Sequence, residues 1–206
     1  MTEDWDDYAK DWDRDAQPRH FSEQAFVSLN SHVNLSEEHC ENARILDFGC
    51  GTGLLTEKLA PLAKEVIAVD TSPKMLEALR EKAIPNVTVV CADLDVPAVR
   101  RAAAWLNGLD LIVASSVCGF LPDYEGTVRN LCRALRSGGH FVQWDWLASA
   151  VDDEYGLPPE RIVSALKKAG LQDVSVKEAF AISNDRASLP VLMGAGRAIP
   201  ASPGAP

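Results

Sequence analysis

Five short, mostly apolar runs recur along the chain with helix-like spacing between them, and this alternation constrains the fold more than any other feature. The runs are Ile45-Leu46-Asp47-Phe48, Val66 to Val69, Val87 to Ala92, Leu111 to Ala114 and Phe141 to Trp144. Strands buried on both faces of a parallel sheet read this way. Leu55, Leu59 and Leu62 follow the first run at i, i+4 and i+7, an amphipathic helical stripe. After the second run, Ser72-Pro73 supplies a cap and a first-turn proline, and Met75, Leu76 and Leu79 supply the stripe. A weaker helix is expected from Pro97 to Trp105. Val128, Leu131, Cys132 and Leu135 form the next stripe, closed by Gly138-Gly139. The last helix runs from Pro159 to Ala169 and stops at Gly170. Val174 to Ile182 and Val191 to Ala195 have no helix between them and are expected to pair as an antiparallel hairpin.

Such alternation predicts a doubly wound α/β fold with a seven-stranded, mostly parallel sheet and right-handed crossovers. Ligands on such sheets bind beyond the carboxyl ends of the strands. The 206 residues are expected to form one domain over residues 1–198. Residues 1–43 would be a helical cap over the site, and residues 199–206, rich in Pro and Ala, a disordered tail. Within the cap, Trp5, Tyr8 and Trp12 have spacings that can share a helix face, and a second helix is expected near Phe21 to His32.

The strand ends carry the chemistry. The first strand leads into Asp47-Phe48-Gly49-Cys50-Gly51-Thr52-Gly53. Alternating glycines let a backbone turn sharply and approach a ligand closely. The spacing is GxGxG rather than the GxGxxG of dinucleotide sites, and position 54 is leucine. Asp47 would repel a pyrophosphate but could help to hold a cationic ligand. Asp70 ends the second strand, where a carboxylate can accept both hydroxyls of a ribose. Its removal is expected to cost ligand affinity but little stability. Asp93 follows the third strand.

The segment from Ile45 to Gly53 resembles the first motif of class I S-adenosylmethionine-dependent methyltransferases, in the ubiquinone/menaquinone-biosynthesis-like branch (methyltransferase types 11 and 12). The similarity extends from about Trp5 to Arg197. The resemblance implies S-adenosyl-L-methionine as cofactor. Gly49, Gly51 and Gly53 would wrap its methionine part, with Asp47 near the amino group. Asp70-Thr71-Ser72-Pro73-Lys74-Met75 is similar to the family's second motif, which places Asp70 and Thr71 at the ribose and Met75 either against adenine or in the core. Asp93 would reach the exocyclic amine of adenine, Leu94 would add a backbone contact and apolar cover, and Ser115 would offer backbone beside the cofactor. The family often has an aromatic or histidine pair before Leu121-Pro122. Here stands Cys118-Gly119-Phe120, which supplies no histidine base, and Cys118 reads as a small buried thiol. No catalytic residue is assigned.

The implied reaction is direct displacement of the methyl group onto a small-molecule acceptor. Tyr8 to Asp13 resembles the N-terminal helix that closes over the cofactor in this branch. Trp12, Trp146 and Tyr155 are candidates for lining the acceptor pocket, whereas Trp144 reads as packing. Two alternatives stay open: a protein methyltransferase of the same fold, and a non-catalytic module that binds S-adenosylmethionine.

The formal net charge of -10 disfavours nucleic acid and anionic membranes as partners. No apolar run is long enough to span a bilayer, and the acidic N-terminus lacks the apolar core of a signal peptide. Five cysteines without a CxxC pair read as reduced thiols. Cysteines and histidines show no metal-binding spacing. A cytoplasmic location follows from these readings. The sequence does not specify the oligomeric state.

Overall fold

The computed structural model describes residues 5–33, 42–148, 156–183 and 188–199. Seven strands form one sheet: β1 (Arg44–Phe48), β2 (Glu65–Asp70), β3 (Val87–Cys91), β4 (Leu109–Ser115), β5 (Leu135–Trp146), β6 (Leu171–Ser183) and β7 (Ser188–Ala198). Their order is β3-β2-β1-β4-β5-β7-β6. The first five are parallel, and β7 lies antiparallel to both β5 and β6. The chain works outward from β1 to β3 and returns to β4 on the other side of β1. The β1/β4 junction is therefore the topological switch point, where sheets of this kind bind ligands.

Side chains alternate across each strand, and the two faces find different partners. Ile45, Val66, Val113, Val142 and Trp144 pack against α1 (Ala16–His32) and α2 (Leu54–Leu59). Ala68 meets Leu76 and Leu79 of α3 (Pro73–Glu81) on the same side. Leu46, Ile67, Ile112 and Phe141 pack with α5 (Tyr124–Cys132) and α6 (Pro159–Lys168) on the other. Between β3 and β4 lies the short α4 (Pro97–Ala102).

Several expected boundaries move. The stripe read through Leu135 ends at Cys132. Leu135 opens β5 instead, and Gly138 takes φ +78 within that strand rather than closing a helix. The terminal strands are longer than expected. β7 also enters the sheet between β5 and β6, so it does more than close a hairpin. The second N-terminal helix starts at Ala16, because the Asp15 carboxylate accepts the Gln17 N–H at 2.8 Å and caps it there. Pro18 sits in the first turn, where no N–H is needed. Residues 5–14 make one 3₁₀ turn (Trp5–Asp7) followed by hydrogen-bonded turns, not the expected α-helix. The expected tail beyond Ile199 lies outside the described residues.

Candidate active site

The three glycines after β1 share left-handed backbone but serve different ends. Gly49, Gly51 and Gly53 have φ of +71, +54 and +86. A Cβ on Gly49 would lie 2.5 Å from Val117 Cγ2, and one on Gly53 would lie 2.3 Å from Leu79 Cδ1. Both glycines therefore permit close packing, of the β4 loop and of α3 respectively. A Cβ on Gly51 would meet nothing nearer than Met75 Sδ and Trp12 Nε1, each at 4.0 Å. Gly51 alone faces open space.

Asp47 stands on the α2 face of β1 and is 1% exposed. Its Oδ2 accepts the Thr56 hydroxyl at 2.6 Å, while Oδ1 is buried without a partner. Burial pushes its carboxyl up to about 7. The Thr56 hydrogen bond opposes this rise, and the neighbouring Asp70 charge adds to it. An orphaned buried acceptor is costly. Asp70, whose charge acts on Asp47, accepts the Gly51 N–H, so the orphaned acceptor lies close to the glycine loop, where a ligand that brings a cation or a donor would suit it.

Asp70 is already engaged. Its Oδ2 accepts the Gly51 N–H at 2.8 Å and its Oδ1 the Ser72 N–H at 2.9 Å. The carboxylate thus ties the glycine loop to the start of α3, and lone pairs remain for ribose hydroxyls. The expectation that its removal would spare stability is corrected here. Met75 is buried at 2% beside Gly51, bordering both the core and the open space. Thr71 is exposed at the end of β2.

Asp93 is exposed, with Oδ1 accepting the Asp95 N–H at 2.9 Å. Leu94 is 2% exposed within the core on the α5 side, and its carbonyl accepts from the Arg100 guanidinium at 2.5 Å. Its side chain is therefore committed to the interior, not held out as cover for a ligand. Ser115 ends β4 at the switch point.

The acceptor candidates separate. Trp12 lies beside the glycine loop, its Nε1 4.0 Å from where a Cβ on Gly51 would stand. Trp146 projects to the α1 face and stacks on Phe21 at 5.3 Å between ring centroids, with Phe180 beyond. Trp144 is fully buried and its Nε1 donates to the Ser28 hydroxyl at 2.8 Å, as a packing residue would. Tyr155 lies outside the described residues.

The segment that contains Tyr8 to Asp13 is held by contacts that its motif did not signal. It is strapped across the cleft. Asp6 accepts from the Ser72 hydroxyl at 2.5 Å and the Lys74 N–H at 3.2 Å, at the start of α3. Asp13 accepts from the Thr52 hydroxyl at 2.5 Å and pairs with Lys82 at 2.7 Å. Trp5 meets Phe120 edge to face at 5.1 Å. Asp6 and Asp13 were visible in the sequence, but their partners, 39 to 69 residues away, were not.

The strand order, the switch-point cleft and the glycine loop together define a Rossmann-like, doubly wound fold. Residues 46–141 match the family described as Methyltransferase domain. It is 34% identical over 98 residues to a ubiquinone biosynthesis O-methyltransferase of Xanthomonas oryzae pv. oryzae (strain PXO99A), covering 47% of this chain and 40% of that protein. It is 40% identical over 100 residues to a trans-aconitate 2-methyltransferase of Azoarcus sp. (strain BH72), covering 47% and 36%. The chain thus spans about two fifths of the length of these relatives. Among solved structures, N-methyltransferase NodS from Bradyrhizobium japonicum WM9 in complex with S-adenosyl-L-homocysteine superposes with TM-score 0.70 at 22% identity, covering 95% of this chain and 99% of that one. A putative methyltransferase in complex with the Haloferax volcanii Trm112 activator gives 0.76 at 16%, covering 98% and 99%.

Proposed function

We propose that the chain is an S-adenosylmethionine-dependent methyltransferase acting on a small-molecule acceptor. The observation that carries this reading is the open space over Gly51, with the partnerless buried Oδ1 of Asp47 nearby. A cofactor with an ammonium group suits both, and the residues present fit it. Gly51 would give backbone room to the methionine part, Asp47 would face its ammonium group, and Asp70 and Thr71 would take the ribose. Asp93 and Met75 would border the adenine. When bound, the cofactor supplies an activated methyl group, so alignment matters more than acid–base chemistry; orientation of this kind is worth on the order of 7–11 kcal/mol. The chain's own part is to hold the two partners in line and keep water out. The strap of residues 5–13 would cover the cleft, with Trp12 over the methionine part and Trp5 and Phe120 on the acceptor side. The names of the curated relatives, both small-molecule enzymes, support the acceptor class. We also propose a cytoplasmic location, supported by the four free cysteines among the described residues. No helix among those residues is long and apolar enough to cross a membrane.

Labelled S-adenosylmethionine, incubated with the protein and a panel of metabolites, tests the reading. Methyl transfer to a small acceptor is expected. Cofactor binding with transfer only to proteins would favour the protein methyltransferase alternative, and binding with no transfer the non-catalytic one. Absence of cofactor binding overturns the proposal.

Asp47 gives a pH signature. Its folded carboxyl titrates near 7, against about 3.9 for an unperturbed aspartate. Folding alone therefore holds a proton on it, and its contribution to the stability of the free protein falls as pH rises from about 4 to about 7. An ammonium group bound beside it favours the ionised form. S-adenosylhomocysteine affinity is expected to rise with pH through about 7 and then level, with protons released on binding near pH 6. Calorimetry in buffers of different ionisation enthalpy reads this directly. A flat affinity from pH 5.5 to 8.5 contradicts the assignment of Asp47.

A further inference from the structure

Beneath the loop that follows β4 lies a buried polar chain that the proposed chemistry does not use. The Tyr124 hydroxyl donates to Gln143 Oε1 at 2.8 Å, Gln143 Nε2 donates to Asp145 Oδ2 at 2.8 Å, and the Gly119 N–H donates to Asp145 Oδ1 at 3.0 Å. Tyr124 and Gln143 are 0% exposed and Asp145 is 1% exposed. Fully desolvated polar groups persist where each partner is satisfied, and this chain ends on one particular piece of backbone. Loop 116–120 also holds Ser116 at φ +55, a left-handed conformation for a serine, with its N–H donating to the Trp144 carbonyl at 2.7 Å. Such strain survives only where the surroundings over-determine it.

The loop touches both walls of the cleft. Val117 fills the place where a side chain on Gly49 would stand, so it backs the glycine loop. Phe120 meets Trp5 of the strap. We propose that Gln143 and Asp145 are positioning residues, which fix loop 116–120 by hydrogen bonding rather than by charge. Through Val117 they set the glycine loop, and through Phe120 the acceptor wall. This inference rests on the reading of the cleft as a cofactor site.

Hydrogen-bonding capacity makes the idea specific. A tyrosine hydroxyl donates or accepts, and a glutamine amide can turn over. In Asp145→Asn the chain can run in reverse: the new amide donates to Gln143 Oε1, and Gln143 Nε2 donates to Tyr124. The Asn carbonyl still accepts from Gly119. In Asp145→Ala, the Gly119 N–H and the Gln143 amide lose their partner in the interior. Tyr124→Phe strands only the far end and leaves the Gly119 contact in place.

The test is titration of the purified full chain with S-adenosylhomocysteine, with circular dichroism and thermal melting on every variant. Wild type is measured first, and if it does not bind, the methyltransferase reading fails rather than this inference. Expected is a loss of at least about tenfold for Asp145→Ala, with Asp145→Asn and Tyr124→Phe each within about threefold of wild type. An Asn variant as weak as the Ala variant overturns the proposal, since charge would then be the agent. An Ala variant within about threefold of wild type overturns it too. Should Asp145→Ala not fold, Asp145→Asn decides alone: wild-type affinity and melting temperature uphold the proposal, and a tenfold loss defeats it.

Discussion

Gly51→Val is expected to weaken S-adenosylmethionine binding by more than about a hundredfold, while the chain keeps its fold. The Cβ itself meets only ordinary contacts, with Met75 Sδ and Trp12 Nε1 both at 4.0 Å. The two γ-methyl groups reach further, into the space assigned to the methionine part of the cofactor. A β-branched residue at φ +54 adds strain of about 1–3 kcal/mol, which a 206-residue chain of ordinary stability tolerates. Circular dichroism and calorimetry on the same sample separate the two effects. Gly53→Ala provides the contrast. Its Cβ would press on Leu79 within the core, so it should lose stability before it loses specific binding. Wild-type affinity in Gly51→Val removes the methionine channel from the glycine loop.

Asp70→Ala should lose both affinity and stability. A ribose contact would vanish, and so would the two backbone hydrogen bonds that tie Gly51 and Ser72 together. Hydrogen bonds to a charged group are worth about 1.5–3 kcal/mol each, so affinity should fall by at least about tenfold. Melting should drop by at least roughly 3 °C, since losing even one such bond costs about 1.5 kcal/mol and 1 kcal/mol corresponds to about 2–4 °C at this size. Asp70→Asn should not be mild, because its amide nitrogen cannot accept from either N–H and one of the two contacts must fail. Unchanged binding in both variants would leave Asp70 a purely structural brace.

Much of the fold was legible in the sequence, as were the residues that stand at its switch point. The apolar runs gave the strands, and their acids gave the switch-point cleft, because in a parallel sheet both follow from strand position alone. Long-range geometry was not legible. Gly49, Gly51 and Gly53 look alike in sequence, yet Val117 and Leu79 cover two of them from 68 and 26 residues away. Asp70 was readable as a ligand contact but not as a brace, since its backbone partners depend on how the loop turns. Leu135 continued a helical spacing, and only its pairing with Leu109 in the sheet decided against it. The buried chain did leave a trace. Gln143 and Asp145 stand two apart in the otherwise apolar stretch 141–146, hence on one face, and two polar groups there demand partners.

The place of β7 in the sheet bears on how the protein is born. Ser188–Ala198 is the last of these seven strands to leave the ribosome, yet it is inserted between two strands made earlier, and residues 191–196 of it are buried. Until it emerges, β5 offers an open edge and β6 has no neighbour. The nascent chain can assemble β1 to β5 in order, but it must hold that edge exposed while the remaining fifty or so residues are synthesised. Unpaired edges of this kind invite association with other chains. Ribosome-bound chains arrested before residue 188 should therefore recruit chaperones or aggregate, whereas chains released past residue 198 should close the sheet.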